Sequence, residues 1–335
     1  QVNAYTSDEQ TVYYGTVVGE HFEVLHDIIF EMARPTLDQK EFDVEKNVIL
    51  EEIALYEDRP GHVLYQRAIE QFFADSPLKN SVLGTTESVS SITREMMVQY
   101  LRRRYSSSNL VVSVAGNFHW DEFLALSEAR SQLWVPSGEV CEAAQQSSMR
   151  SGNVAVSEPL RITHPKCHQS HILLMSKGPD VGDPMRYPAL IVSTIFGDSH
   201  NSRLYWRLVD SGIAEYASMD HEEKIDAGCM MVSAAAPQER SDEVLRVLQE
   251  ELSRREISAE ELEIAKTKLR CRMVMDHESS LGRAMSHAVN FQYRNEPFSL
   301  ESELGMISSV SLEQCEQFLE QFPLSENHAF IMNPQ

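Results

Sequence analysis

Two carboxylates on one helical stripe are the residues whose types and spacing point most directly to chemistry. Glu45 and Glu52 lie seven residues apart within LDQKEFDVEKNVILEEIALY, residues 37–56. Seven helical residues turn through about 700° and rise roughly 10.5 Å, so both side chains leave one face. The remaining members of that stripe, Phe42, Ile49 and Tyr56, are apolar or aromatic, which predicts a core-facing surface. A carboxylate on such a surface is costly unless a cation or a donor meets it. Two readings stand: a polar pocket held by internal salt bridges, or a site. If it is a site, a span of roughly 10.5 Å is too long for both groups to bind one metal ion through bonds of about 2 Å. One would be a ligand and the other an outer-shell or substrate-facing group.

The helix that positions them is well marked. Asp38 can cap its start and no residue inside it breaks a helix. Before it, TVYYGTVV (11–18) reads as a strand and residues 20–33 as an amphipathic helix ended near Pro35. After it, helices are expected over 63–73, from Ser91 to the basic end Arg102-Arg103-Arg104, and over 120–130, with a buried strand NLVVSVAG at 109–116. The three arginines suit a helix C-terminus. Residues 135–152, rich in Ser, Gln, Glu and Gly, read as a linker. Beyond it, strands are expected at 171–176, 215–219, 228–235 and 329–332. Helices are expected at 187–196, 202–210, 241–254, 259–275, 281–293 and 312–321.

The order of elements repeats. A shift of 220 lays Leu37 on Ile257, Glu41 on Glu261, Phe42 on Leu262, Lys46 on Lys266 and Ile49 on Leu269, while Glu45 falls on Ala265 and Glu52 on Arg272. Gly84 matches Gly305, and Ser90-Ser91-Ile92 matches Ser308-Ser309-Val310. The apolar frame is common to both copies and the carboxylates belong to the first alone. Packing by itself gives the second copy no reason to drop both, which favours the site.

Composition narrows the partners. The 335 residues carry 29 basic and 51 acidic side chains, a net charge of −22, which argues against nucleic acid as a partner and fits a basic or extended peptide. No apolar run is long enough to span a bilayer. Five scattered cysteines without a CxxC pair favour a reducing compartment, a bacterial cytoplasm ahead of a periplasm or an organelle matrix. The His164-Pro-Lys-Cys167-His168-Gln-Ser-His171 cluster has metal-like residue types, but Pro165 keeps it extended and His168 and His171 fall on opposite faces of a strand. His21 and His26, an i, i+5 pair about 140° apart on a helix, read as surface residues.

The stretches NAYTSDEQTVYY, RPTLDQKEFDVEKNVILEEI, SITREMMVQYLRRRYSSSNLVVSVAGN and, more weakly, SRLYWRLVDSGIAEYAS resemble the M16 (pitrilysin-like, inverzincin) zinc metallopeptidases, in the mitochondrial-processing-peptidase-like branch. The resemblance covers nearly the whole chain. It implies an α+β fold of two homologous halves, each a mainly antiparallel sheet covered by helices: residues 1–134, a linker at 135–160, and 161–335. The first half is the catalytic type, truncated at its start. The resemblance implies zinc, one ion per catalytic half, with Glu52 as a ligand and Glu45 as its outer-shell partner. The family's His-x-x-Glu-His motif, which brings two further ligands and the general base, belongs upstream of Gln1. Asn3, Ala4 and Tyr5 are implied as the strand edge that binds an extended substrate by strand addition. Tyr216 matches the family's carbonyl-facing Tyr. Arg207 is nearest to its Arg but lies nine positions away where seven is usual, with Arg203 as the other candidate. The implied partners are a peptide or unfolded polypeptide and a second M16-like chain, in a homodimer or heterodimer. The alternative is a non-catalytic M16-like subunit that acts as scaffold or substrate holder.

Overall fold

A computed structural model describes residues 1–134, 158–198 and 200–335. The linker expected over 135–160 lies, but for its last three residues, outside the described residues. The strands are β1 (Val2–Thr6), β2 (Thr11–Gly15), β3 (Leu160–His164), β4 (Ser170–Lys177), β5 (Tyr216–Glu223), β6 (Gly228–Ala236) and β7 (Asn327–Pro334). The helices of the first stretch are α1 (Phe22–Met32), α2 (Gln39–Glu57), α3 (Pro60–Phe72), α4 (Thr86–Ser91), α5 (Arg94–Arg104) and α6 (Trp120–Ser131). Those of the second are α7 (Arg186–Gly197), α8 (Ser241–Leu252), α9 (Ala259–Asp276), α10 (Ser280–Arg294), α11 (Leu300–Ser309) and α12 (Leu312–Gln321). A π-helix, Tyr205–Val209, stands where a regular helix over 202–210 is expected. The fold is α+β, and the chain divides into two compact units that interleave along the sequence.

One unit comprises residues 1–53, 81–147 and 275–298. Its sheet is the β1–β2 pair, antiparallel with Ala4 opposite Tyr13. Asp38 starts α2 by accepting from the backbone N–H groups of Lys40 (2.9 Å) and Glu41 (3.4 Å). The Lys46 ammonium then closes the C-terminal end of α4, donating to the carbonyls of Ser90 (2.6 Å) and Ile92 (2.8 Å). His26 stacks on Phe30, meets Phe123 edge-on and lies tilted against Phe22, and Phe30 stacks on Trp134 at 5.5 Å. His26 is 6% exposed, which corrects the expectation of a surface residue. Its spacing from Phe22 and Phe30, four residues each way, puts it on the apolar stripe of α1.

The strand expected at 109–116 does not form. No strand pairs with this segment among the described residues, and a lone strand leaves its backbone N–H and C=O groups without partners. It borders a groove of about 710 Å³ together with β2, α1 and α10.

The other unit comprises residues 54–80, 148–274 and 299–335. Its five-stranded sheet runs β3-β7-β4-β6-β5, with β3 parallel to β7 and the other pairs antiparallel. Ile172 and Leu174 of β4 face α7, α8, α9 and α12, while Leu173 and Met175 face α3 through Leu64, Ala68 and Phe72. Both faces are covered, which is why β4 reads as an unbroken apolar run and not an alternating one. Gly197 ends α7 where a Cβ would overlap the backbone of Met219, so only glycine lets helix and strand approach this closely.

Candidate functional site

The α2 face carrying Phe42, Glu45, Ile49 and Glu52 is far more open than expected. Ile53 is the buried residue of the helix, Glu52 is half-buried and Glu45 is exposed. The expectation of two carboxylates on a core surface is therefore corrected: Glu45 looks out to solvent. The equivalent face of α9 is closed, with Leu262, Ala265 and Leu269 all buried. At the position matching Glu52, Arg272 donates to Asp198 at 2.8 Å. Glu45 and Glu52 make no hydrogen bond or ion pair with any described residue, so the salt-bridge reading of this pair fails. Among the described residues both are unpaired carboxylates, one heptad apart, Glu45 exposed and Glu52 half-buried.

β1 belongs to the same unit. All five of its residues are exposed, and its outer edge has no strand beside it among the described residues. The backbone N–H of Ala4 does not bond to β2; it donates to the side chain of its own neighbour, Asn3 Oδ1, at 2.8 Å. That donor therefore points along the free edge, where a peptide carbonyl can replace the Asn3 oxygen. Tyr5 packs edge-on against Tyr14, and burial, with the neighbouring phenol second, raises its pKa.

The electrophile candidates lie in the other unit. Arg207 sits on the π-helix, 3.3 Å from Glu250 and 3.8 Å from Glu251. Tyr216 opens β5 opposite Ala235, is 44% exposed, and has its phenol pKa raised by burial. No hydrogen bond joins Arg207 to Tyr216 among the described residues. Arg203 is held by two bonds to Glu261, one to the Glu256 carbonyl and a position 4.6 Å over the Phe196 ring, while its buried Nη1 has only a 3.9 Å approach to Glu251. The π-helix, with Asp210 N–H bonded to the Tyr205 carbonyl five residues back, takes up an extra residue between Arg207 and Tyr216.

The histidine-rich cluster is dispersed. His164 Nε2 lies 3.0 Å from the Glu57 carbonyl, the Cys167 thiol donates to the Gln169 carbonyl, and His168 is exposed. One pairing has no sequence signal, being 92 residues apart: the Tyr13 and Tyr105 hydroxyls meet at 3.1 Å on the groove wall.

No three His, Cys, Asp or Glu residues converge to hold a metal among the described residues. A catalytic zinc takes three protein ligands, and Glu52 offers one unpaired carboxylate. The described residues do not by themselves fit the ion.

Residues 1–86 match the family model described as insulinase (peptidase family M16), and residues 91–269 the one described as peptidase M16 inactive domain. A Bacillus subtilis protein named "Uncharacterized zinc protease YmxG" is 27% identical over 338 residues, covering 99% of this chain and 80% of its own. A Mycobacterium leprae protein, also named a zinc protease, is 28% identical over 347 residues, covering 100% and 76%. In fold, the chain is similar to a protease from Helicobacter pylori (TM-score 0.90, 18% identity, 100% and 82% covered). It is also similar to a chain of complex III2 from Candida albicans (TM-score 0.80, 17% identity, 99% and 81% covered).

Proposed function

The chain belongs to the M16 peptidase family, and on that premise we propose that it is part of a zinc-dependent endopeptidase that cleaves peptides bound as an added strand. The observation that carries this reading is the asymmetry of the repeat. Glu45 and Glu52 stand unpaired on an open face of α2, where α9 has a buried Ala265 and an ion-paired Arg272. The zinc-protease names of the two relatives support it.

In this proposal Glu52 gives zinc one ligand, and the resemblance places two histidines and a general-base Glu upstream of Gln1. Bound there, zinc would polarise a peptide carbonyl and acidify a water. Glu45 orients the site from the outer shell. The free edge at Asn3, Ala4 and Tyr5 takes the substrate backbone, with the Ala4 N–H as a donor that no strand uses. Tyr216 has an exposed, protonated phenol suited to donate a hydrogen bond to a carbonyl. Arg207 is the weaker half of the pair, because two glutamates hold it. The pairing of Arg207 with Glu250 and Glu251 also favours a second reading, a non-catalytic subunit that holds substrate or completes a homodimer or heterodimer.

The test is the coding sequence before Gln1, followed by metal analysis and a peptidase assay on the longer protein. His-x-x-Glu-His upstream, about one zinc per chain and chelator-sensitive hydrolysis are expected. Other residues at those positions would remove the catalytic reading and leave the substrate-holding one.

A further inference from the structure

The groove bordered by β2, residues 109–116, α1 and α10 lies wholly within the unit that holds the β1–β2 pair. Each of its four walls has a counterpart in the other unit. The offset of 220 that relates α2 to α9 also lays α10 on α3, with Ala284 on Leu64 and Ala288 on Ala68. It carries β6 onto 8–16, across β2, β7 onto 107–114, and α8 onto 21–32, along α1. In the five-stranded sheet those four elements surround a single strand, β4. β6 and β7 pair with its two edges, α8 lies on one face and α3 on the other. The groove is therefore walled like the seat of a central strand.

The backbone along two of these walls is free to pair. β2 bonds to β1 alone, so its other edge is open among the described residues. From 110 to 116 no backbone N–H or carbonyl bonds to another described backbone group. Val111 and Val112 are neighbours, and so lie on opposite faces of a strand. They are 40% and 43% exposed, whereas Ile331 and Met332, at the matching positions of β7, are fully buried. A β-branched run with both rows of backbone groups unused has the chemistry of a strand waiting for its neighbour.

Gln1 stands at the rim of the groove. Its amino group donates to the Thr16 carbonyl at 3.0 Å, and Thr16 is one of the lining residues. Polypeptide that continues before Gln1 sets out from there. At the same offset β4 falls about 44–51 residues before Gln1.

We propose that a strand of the segment preceding Gln1 fills this groove, antiparallel to both β2 and 109–116, and turns the β1–β2 pair into the end of a larger sheet. β1 then takes the place of β5, the edge strand, so its outer edge stays open to a peptide. The proposal rests on the peptidase reading only for a chain that continues before Gln1. It assigns no metal ligand and does not depend on hydrolysis.

The test is hydrogen–deuterium exchange on the longer protein, without added peptide, at two concentrations about tenfold apart. The amides of 110–116 are expected to exchange at least about a hundredfold more slowly than unstructured ones, equally at both concentrations. Protection that grows with concentration gives the groove to a second copy, and protection that needs an added extended peptide gives it to substrate. Either result overturns the proposal, as does free exchange throughout. A proline in the middle of the strand about 44–51 residues before Gln1 should release 110–116 while β7 stays protected as an internal control. Val112→Thr is the milder variant. It sets a hydroxyl where the added strand buries it, and should lower the thermal midpoint of the longer protein by about 2 °C or more. An unchanged midpoint contradicts burial of that position. Protection of 110–116 in a longer protein that lacks His-x-x-Glu-His would remove the catalytic reading and leave this one standing; zinc binding with 110–116 unprotected would do the reverse.

Discussion

Arg203 grips Glu261 with two parallel hydrogen bonds, Nε to Oε1 at 2.6 Å and Nη2 to Oε2 at 3.0 Å. Glu261 also accepts from the backbone and hydroxyl of Ser258, so one carboxylate starts α9 and ties it to the π-helix stretch. Burial alone would raise the Glu261 pKa, but Arg203 and Ser258 outweigh it and bring it down to about 2. A carboxylate depressed in the folded state stabilises fully above its unfolded pKa of about 4.5 and loses that contribution as pH falls toward 2. Glu261 is partly exposed, so screening leaves about 1–2 kcal/mol of it. Arg203→Met is expected to cost about 2–3 kcal/mol at pH 7, through the lost fork and the unpaired carboxylate. Urea unfolding at pH 7 and pH 3 should show the gap between variant and parent narrowing at the lower pH. A gap constant across that range contradicts the assignment.

Glu52→Gln keeps the shape and removes the charge. In the longer protein it is expected to abolish zinc retention on dialysis, because a neutral amide is a poor ligand. Glu45→Gln should lower zinc affinity by about 10–100-fold, the usual cost of an outer-shell change. Both positions are accessible and unpaired, so thermal midpoints should stay near the parent value. Metal content by mass spectrometry decides, and full zinc in the Glu52 variant would take it out of the ligand set.

Ala4→Pro removes one backbone donor from the outer edge of β1 without breaking the β1–β2 ladder, since that N–H bonds only to Asn3 Oδ1. Proline is tolerated on a strand edge of this kind. Binding of an extended peptide should weaken by about tenfold while far-UV circular dichroism is unchanged. An unaltered affinity would show that substrate takes another route.

His26 is held neutral. Burial lowers its pKa, with Asp27 opposing and Arg130 reinforcing the effect. A histidine whose folded pKa lies below the unfolded value of about 6.5 gives full stability above that pH and loses it as pH falls. Acidification from pH 7 to pH 5 should therefore destabilise the parent more than His26→Phe. His26→Phe keeps the stack on Phe30 and gives up the 3.0 Å contact with Ser127. Chemical denaturation at both pH values measures the difference; equal losses would exclude His26 as the titrating group.

Short-range signals were enough for the repeat and for most helices, though α4 and α11 were not expected and a π-helix replaces the helix expected over 202–210. Asp38 before α2, Thr85 and Thr93 before α4 and α5, and Ser299 and Ser311 before α11 and α12 cap through bonds spanning two or three residues, which a linear sequence carries in full. The 220-residue offset holds, with α2 starting at Gln39 and α9 at Ala259. The family and the α+β class follow from these elements and the quoted motifs. What depends on a distant partner came only from the tertiary structure. NLVVSVAG has strand propensity but no strand beside it among the described residues, and propensity alone does not satisfy a backbone. One periodic pattern is a closed face on α9 and an open one on α2, because burial is set by what packs against a helix. Glu45 and Glu52 were visible as an unusual pair in the sequence; that they are unpaired and accessible depends on neighbours that no local pattern encodes.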